Sequence, residues 1–288
     1  MANQPSDFLS SPAHLLLVEC HDRRGLVHEV TGVLFRHECN VTSNHEFVEA
    51  ATSRFFMRTE FSGEVDAAAI LKETRSLLPE GGVARLAPRG KRRVVVLASR
   101  EHHCLADLLV RHAFNEINAE LLAVISNHDT LRALVEKFGI PFHHVSHEGK
   151  SRGDHEAAIQ SLLDALNPEW LVLAKYMRVL NSGFVARYAQ RMVNIHHSFL
   201  PAFVGARPYQ QAFQRGVKVI GATAHFVTEQ LDEGPIILQQ VIPVDHTHSA
   251  ADMAQAGRDV EQMVLSRALK LVLEDRVFLS GNRTIIFD

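Results

Sequence analysis

Short apolar segments alternate with helical segments along most of this 288-residue chain, and this alternation restricts its fold more than any other feature. Some segments have apolar residues at every second position, as half-buried strands do, and others at spacings of three and four, as helices do. Chains of this kind form α/β domains in which helices cover a sheet. Because the order of the segments changes near residue 90, the sequence predicts two domains, 1–88 and 94–288, with a linker at 89–93.

The N-terminal domain is predicted to have the order strand, helix, strand, strand, helix, strand. Its segments are 14–20, 26–37, 40–50, 53–63, 65–78 and 83–86. This βαββαβ order is typical of a ferredoxin-like unit. The linker contains Gly90 and a run of basic residues. A patch that binds nucleic acid is the alternative for such a run, but no aromatic residues accompany it, and a solvated linker is the better interpretation.

The C-terminal domain is predicted to alternate strands and helices over greater lengths of chain. The strands are 94–98, 120–126, 142–145, 170–174 and 192–195, and the helices are 104–114, 131–138 and 154–166. Short apolar strands between helices are typical of a buried parallel sheet. Two longer strands, 218–227 and 236–244, and a helix at 250–274 follow. The sequence predicts a doubly wound, Rossmann-like sheet with antiparallel pairing near its end.

Charge and cysteine content exclude several classes of protein. The formal net charge of −3 offers no positive excess for phosphate groups, so no nucleic-acid partner is expected. Three cysteines without CxxC spacing argue against a disulfide framework and against a cysteine metal site. Residues 1–11 lack the pattern of a signal peptide, and no apolar run is long enough for a membrane span. The sequence predicts a soluble, cytoplasmic protein without a membrane partner.

Three polar residues are candidates for chemistry. Asn194 and His196 stand at the carboxyl end of a predicted strand. Because alternate residues of a strand share a face, an amide and an imidazole lie side by side there, where both can hydrogen-bond a carbonyl oxygen that gains negative charge. Asp232, in QLDEGPII, can orient the imidazole and accept a proton from water. Taken alone, these residues are also compatible with structural roles: Asn194 could close a turn, His196 could be a half-buried histidine with satisfied hydrogen bonds, and Asp232 could belong to a turn.

Two motifs connect these residues. NIHHSFLP (194–201) and HFVTEQLDEGPII (225–237) resemble the folate-dependent formyltransferase and hydrolase family, and the resemblance covers nearly all of residues 94–280. It implies that Asn194, His196 and Asp232 are catalytic. The segment LVLAKYMRVL (171–180) is similar to the pterin-binding stretch of the family. The resemblance therefore implies folate contacts from Met177, Arg178, Leu180, Val227, Thr228, Glu229, Gln230 and Leu231.

One departure from the transferase members points to the deformylase members of the family. Transferases that bind a phosphorylated amine have a Gly/Ser-rich loop after the first strand, whereas residues 98–104 read ASREHHC. Side chains crowd the backbone N–H groups there, and Glu101 would repel a phosphate. We expect Arg100, Glu101, His102 and His103 to fill the acceptor site and to leave room for little beyond water. The segments AKYMRVL (174–180) and GARPYQQAF (205–213) also resemble deformylase sequences.

A second departure is the N-terminal domain, which resembles an ACT domain with HDRRGLV (21–27) as its strand-to-helix loop. Such loops bind small amino acids where two domains pair, and amides at a helix N-terminus face the carboxylate. The resemblance implies an amino-acid effector near Asp22, Gly25, Leu26 and Val27, and a homo-oligomer formed through these domains.

The resemblance implies hydrolysis of 10-formyltetrahydrofolate to tetrahydrofolate and formate, which would balance one-carbon pools and supply formate for purine synthesis. Folate is then the substrate, and no cofactor is expected. The alternatives are formyl transfer to an amine acceptor and a non-catalytic amino-acid sensor. The missing glycine loop weighs against a ribonucleotide acceptor, and the lack of a basic extension after Asp288 weighs against tRNA. The intact Asn194, His196 and Asp232 weigh against the sensor.

The eighteen histidines invite a metal-site hypothesis. Adjacent pairs such as His102-His103 and His196-His197 are expected to diverge in a helix or a strand. His246-x-His248 is expected to lie in a capping turn before the long helix. No metal site is predicted.

Overall fold

The computed structural model describes residues 14–88, 90–202 and 208–288. The expectation for residues 1–11, the linker residue Arg89 and the similarity at 205–207 lie outside the described residues. The chain divides into two compact units, Met1–Gly90 with Phe287–Asp288, and Lys91–Ile286. Among the helices of the described residues, none has the length and apolarity that a membrane crossing requires.

The first unit has the predicted βαββαβ order. Its elements are β1 (His14–His21), α1 (Leu26–Arg36), β2 (Asn40–Glu49), β3 (Arg54–Ser62), α2 (Ala67–Leu77) and β4 (Val83–Leu86). The four strands form a sheet in the order β2-β3-β1-β4, with every pair antiparallel. This is the ferredoxin-like arrangement that the sequence predicts, and the prediction is confirmed.

Apolar periodicity explains how this unit packs. Leu26, Val30, Val33 and Leu34 follow one another at the three- and four-residue spacing of one helix face, and all four are buried in α1. They pack in one core with Phe61 of β3. Removing these side chains from water supplies the main favourable term for folding of the unit.

The second unit holds the remaining elements. They are β5 (Arg92–Ala98), α3 (His103–Ala113), β6 (Ala119–Ser126), α4 (Arg132–Glu136), β7 (Phe142–His144), α5 (Arg152–Leu166), β8 (Trp170–Ala174), α6 (Ser182–Arg187), β9 (Met192–His196), α7 (Pro208–Arg215), β10 (Val219–Phe226), β11 (Ile236–Pro243), α8 (Ala250–Leu273), β12 (Val277–Ser280) and β13 (Arg283–Ile286). Seven strands form one sheet in the order β11-β10-β9-β8-β5-β6-β7. Strands β5 to β9 pair in parallel, and β9-β10-β11 pair antiparallel.

Helices cover both faces of this sheet. One core joins Val96 of β5 to Leu265 of α8, and another joins Val95 and Leu97 of β5 to Ile159 of α5. Because alternate residues of one strand are buried in different cores, both faces of the sheet are apolar, as parallel sheets require. The doubly wound α/β fold predicted from the sequence is confirmed, including the antiparallel pairing near its end.

The strand order reverses direction at β5. The chain passes from β5 to β6 and β7 on one side, and then returns to β8 and β9 on the other. Ligands of open α/β sheets bind where such a reversal opens a crevice at the carboxyl ends of the strands. Ser99 follows β5 and Lys175 follows β8, so these two residues mark the crevice.

The start of β5 differs from the prediction, because Arg92 and Arg93 belong to the strand and not to a linker. Arg92 is buried and forms an ion pair with Asp275. The backbone N–H of Arg93 donates to a carboxylate oxygen of Glu169 at 2.8 Å. The sequence did not predict this part of the strand, because its side chains are charged and their partners come from distant parts of the sequence.

Four elements were not predicted, namely α6, α7 and the hairpin of β12 and β13. A helix of one or two turns has little stability of its own and depends on tertiary contacts. In α6, the side chain of Asn181 caps the helix by accepting from the N–H of Phe184. Phe184 then packs in the core beside Tyr188.

Candidate active site

Strand β9 carries the first two candidate residues to the carboxyl edge of the sheet. Asn194 lies within the strand, and His196 is its last residue. Strand β10 pairs antiparallel with β9 and places His225 directly opposite Asn194. The amide nitrogen of Asn194 lies 3.2 Å from Nε2 of His225, and Nδ1 of His225 donates to the carbonyl of Phe226 at 2.9 Å. In the neutral ring, Nε2 therefore accepts a hydrogen bond from the Asn194 amide and fixes its orientation.

The turn between β10 and β11 brings Asp232 to the same place. Asp232 has a φ of 57°, a left-handed conformation that Asp and Asn tolerate better than other residues with a Cβ. Gly234 passes so close to the Phe226 carbonyl oxygen that an added Cβ would lie 1.8 Å from it. The N–H of Phe226 donates to the carbonyl of Pro235 at 2.9 Å, which closes the turn. Glycine is thus required for the path that returns Asp232 to β9.

Asp232 stands between two imidazole rings. Its Oδ2 lies 3.3 Å from Nδ1 of His196, and its Oδ1 lies 3.7 Å from Nε2 of His225. Burial alone raises the pKa of the Asp232 carboxyl, but the interactions with His196 and His225 outweigh it and hold the pKa well below its ordinary value. Asp232 is therefore a carboxylate at neutral pH, close enough to His196 to orient its ring.

The other ring nitrogen of His196, Nε2, is buried. Within the described ranges of the chain, no group hydrogen-bonds Nε2 of His196. A buried polar atom without a partner is costly unless a ligand satisfies it, and such atoms are common at sites of chemistry. The pairing of Nδ1 with Asp232 thus leaves Nε2 for a bound substrate.

A second set of polar groups lies behind His196. The ring of His197 stacks on that of His196, with centroids 5.0 Å apart and planes at 17°. Nζ of Lys175 donates to Nδ1 of His197 at 3.1 Å and lies 3.0 Å from a carboxylate oxygen of Glu261. Burial and the nearby Lys175 lower the pKa of His197 to about 4, so this ring is neutral at neutral pH. The expectation that adjacent histidines diverge is wrong here, because His196 ends its strand and His197 lies beyond it.

Three donors contact the carboxylate of Glu261, which lies on the buried face of α8. The Tyr209 hydroxyl donates to it at 2.7 Å, and Nε2 of His103 lies 2.8 Å away. Burial raises the pKa of Glu261, but His103, Lys175 and Tyr209 lower it more, to about 2. Lys175 and Glu261 are therefore a buried ion pair supported by hydrogen bonds, which is how interiors tolerate charge.

One cavity opens on the candidate catalytic residues and is called the first cavity below. It has a volume of about 280 Å³, and its walls are Leu173, residues 175–180, Val185, residues 194–197, His225 and residues 227–232. Met177, Val179 and Leu231 keep about half of their surface exposed around it. A largely apolar wall with a few convergent polar groups is typical of a small-molecule site.

The sequence and the fold of this chain are similar to those of known proteins. Residues 92–269 match the formyl transferase family model, and residues 14–79 match the ACT domain model. The chain is 57% identical to a formyltetrahydrofolate deformylase of Escherichia coli O6:H1 over 93% of its own length and 95% of that protein. The chain belongs to the formyltetrahydrofolate deformylase family.

Other relatives of this family match most of the chain. The formyltetrahydrofolate deformylase of Haemophilus influenzae is 52% identical over 94% of this chain and 98% of that protein. The crystal structure of the deformylase from Pseudomonas syringae superposes with a TM-score of 0.91 at 41% identity, and covers 96% of this chain and 94% of that one. The family membership and the two-part fold predicted from the motifs are confirmed.

Every residue predicted for catalysis or folate contact lies in the wall of the first cavity. These residues are Asn194, His196, Asp232, Met177, Arg178, Leu180, Val227, Thr228, Glu229, Gln230 and Leu231. Their individual roles stay predictions. Sequence reasoning missed His225 and Lys175, although each carried a signal: His225 opens the second motif, and Lys175 follows a buried strand at its carboxyl end.

The expectation for residues 100–103 is wrong. Arg100, Glu101, His102 and His103 do not fill an acceptor site but line an open second cavity of about 710 Å³. The side chain of His103 turns instead to Glu261 of α8. The large side chains of this segment did not predict a filled cavity, because they lie along its wall and the imidazole of His103 pairs with the buried Glu261.

Possible metal ligands meet at one place in the described part of the chain. A nitrogen of His103, the sulfur of Cys104 and an oxygen of Glu261 lie within 4.8 Å of one another. Glu261 already pairs with the ammonium of Lys175, which would repel a cation at this position. The residues therefore fit an internal ion-pair cluster better than a metal site. His246 and His248 belong to the turn before α8, where Ser249 forms a capping box with Asp252.

Of the predicted effector residues, Asp22 and Gly25 lie in the loop between β1 and α1, and Leu26 and Val27 begin α1. Gly25 precedes the helix with a φ of 93°, a left-handed conformation that glycine adopts without strain. The Leu26 side chain is buried in the core, so it can offer only its backbone to a ligand. Val27 is partly exposed on the first turn.

Proposed function

We propose that this chain hydrolyses 10-formyltetrahydrofolate to tetrahydrofolate and formate, with Asn194, His196 and Asp232 as its catalytic residues. The identity to named deformylases over most of the chain supports the reaction. The single structural observation that carries the residue assignment is the buried Nε2 of His196, which has no partner among the described residues, in a ring that Asp232 contacts through Nδ1.

The formyl carbonyl lies against Asn194 and His196 in the proposed complex. Asp232 accepts from Nδ1 of His196, so that Nε2 receives the proton of the attacking water or relays it to the substrate nitrogen. The new C–O bond converts the formyl group into a tetrahedral adduct whose oxyanion accepts hydrogen bonds from His196 and the Asn194 amide. The C–N bond then breaks, the folate nitrogen takes one proton of the water, and formate and the second proton leave.

The folate lies in the first cavity. Its bicyclic ring packs on the apolar side chains of Met177, Leu180 and Leu231, and the backbone of residues 227–231 offers polar contacts. Arg178 provides a positive charge in the same wall. No cofactor enters this scheme, and we propose a role in balancing one-carbon pools and in supplying formate for purine synthesis.

The direct test is release of formate from 10-formyltetrahydrofolate in buffer that contains no amine. We expect multiple turnovers without any acceptor. A strict requirement for an amine, or a formylated amine as the product, would overturn the proposal.

A second candidate function is formyl transfer to an amine. The open second cavity favours it, because that cavity reaches Lys175 and His197 and could hold an acceptor. Competition between water and added glycinamide ribonucleotide distinguishes the two reactions. We expect the rate of formate release to be unchanged by this amine and no formylated product to form.

We also propose that the first unit binds a small amino acid near Asp22, Gly25, Leu26 and Val27, and that two copies pair through it. The match to the ACT domain model and the left-handed Gly25 before α1 support this. Calorimetry of the full chain with single amino acids should detect binding that Gly25→Val abolishes, since a branched side chain is strained at a φ of 93°. Binding by none of the twenty, or a monomer in sedimentation experiments, would contradict these two proposals.

A further inference from the structure

The first and second cavities meet at three residues, Lys175, Met177 and His197. The first cavity contains His196 and Asp232, whereas the second is lined mainly by polar and charged side chains of α8 and of the residues after β5. A nucleophile that enters from the second cavity must therefore pass these three residues before it reaches the reacting carbon.

Lys175 is fixed at this junction from several directions. It is 4% exposed and has a φ of 59°, a left-handed backbone that is unusual for a lysine. Nζ lies 3.0 Å from Glu261 and 3.1 Å from Nδ1 of His197. Glu261 is itself fixed by His103 and Tyr209. If the Lys175 ammonium moved away, this buried carboxylate would lose its positively charged partner, which is costly. A strained backbone held by so many partners is typical of a functional position.

His197 extends the wall to the catalytic ring. The Lys175 ammonium can only donate, so Nδ1 of His197 accepts and the ring proton of neutral His197 is on Nε2. The ring then stacks on His196. The hydrogen-bonded side chains of Lys175 and His197 thus line both cavities beside His196.

We propose that Lys175 is a specificity-determining residue that admits water and excludes amines as the nucleophile. This inference rests on the proposed hydrolysis of the formyl group. Water needs no space beyond its own small volume, whereas an amine brings a substituent that the lysine stem and the His197 ring obstruct. Most free amines are ammonium ions at neutral pH, and the buried positive charge repels them.

The two competing reactions differ only in the nucleophile. With water, a C–O bond forms, the C–N bond to folate breaks, the folate nitrogen takes one proton, and formate and a second proton leave. With an amine, a C–N bond forms instead, the amine loses the proton that the folate nitrogen takes, and a formamide leaves. The ratio of formamide to formate therefore measures the selectivity directly, independently of the overall rate.

The test compares the full chain with Lys175→Ala and with Lys175→Met/Glu261→Gln. The double variant removes both charges together and leaves Gln as an acceptor for Tyr209, because an unpaired Glu261 could prevent folding of the single variant. Lys150→Ala is the matched control, since Lys150 is exposed and outside both cavities. Each protein is given 10-formyltetrahydrofolate with an excess of hydroxylamine or glycinamide, and formate and the N-formyl product are measured by mass spectrometry against an enzyme-free blank.

We expect the unaltered protein and Lys150→Ala to form formate without N-formyl product. In folded Lys175→Ala, the ratio of N-formyl product to formate should reach about tenfold or more above its detection limit, a scale set by removal of a few methylenes from a selective site. In the folded double variant, N-formyl product should also become detectable, because the positive charge is removed. An unchanged ratio in folded variants would overturn the inference, as would loss of both products. Independently of any variant, N-formyl hydroxylamine made by the unaltered protein would overturn it.

The outcomes also separate this inference from the function on which it rests. Absence of formate with the unaltered protein contradicts the proposed hydrolysis itself. Formate release by the unaltered protein, with no change in the product ratio in the variants, contradicts only the role of Lys175.

Discussion

Replacing Asp232 with Asn is the sharpest test of the catalytic assignment. Asn has nearly the same shape as Asp and tolerates the same left-handed conformation, so the φ of 57° adds little strain in the variant. Ala would lack this tolerance and would confuse a backbone effect with a chemical one. The substitution therefore removes the negative charge beside Nδ1 of His196 while it preserves the turn.

The expected loss follows from the contacts of Asp232. The carboxylate faces Nδ1 of His196 at 3.3 Å, and a neutral amide oxygen there would hold a cationic ring much less well. Loss of a general base or of an oxyanion-stabilising group costs roughly two to three orders of magnitude in rate. We expect kcat for formate release to fall by about 100-fold or more, with KM changed only a few-fold, since the apolar wall of the first cavity remains.

The assay is steady-state formate release from 10-formyltetrahydrofolate without an amine. Glu233→Gln is the matched control, because it makes the same chemical change at an exposed neighbouring residue and should keep the parental kcat. A kcat of Asp232→Asn within a few-fold of the parent would refute the assignment. A large rise in KM with an unchanged kcat would also refute it, because Asp232 would then act in binding alone.

Stability provides a second readout for the same variant. The folded-state pKa of Asp232 lies below its unfolded value of 3.8, so the carboxylate stabilises the fold above that pH and loses its contribution as pH falls. Asp232→Asn should therefore be less stable than the parent at neutral pH. The difference between their urea midpoints should narrow as pH falls below about 4. A constant difference would contradict this reasoning.

Three further predictions concern packing and pH. Gly234→Ala places a methyl group against the Phe226 carbonyl, and thermal unfolding should show a loss of about 1–3 kcal/mol together with reduced kcat. Arg92→Ala breaks the ion pair with Asp275 by removing its buried guanidinium, and urea midpoints should report a loss of about 3–5 kcal/mol; a change within about 0.5 kcal/mol would contradict the burial of this pair. Burial lowers the pKa of His197 from 6.5 to about 4, so between these pH values the unfolded chain binds more protons than the folded one. The free energy of unfolding should therefore fall as pH drops from 6.5 to 4. His197→Phe should reduce this dependence of stability on pH.

Local periodicity determined most of the secondary structure. The strand β8 was predicted with the bounds that the structure has, and α8 differs by one residue at its end. Apolar residues at a period of two or at spacings of three and four are properties of neighbouring positions, so they can be read without knowledge of distant partners. The elements that the sequence missed, such as α6 and α7, are short and depend on such partners.

The motifs determined which residues to consider, but not how they meet. Asn194, His196 and Asp232 were found from the sequence, and only the folded chain shows that a glycine turn returns Asp232 to within 3.3 Å of His196. No sequence motif predicted the buried pair of Lys175 and Glu261, which connects the end of a strand to the middle of a distant helix. Buried charges are stable only when partners from other elements satisfy them, and tertiary packing alone decides which partners those are.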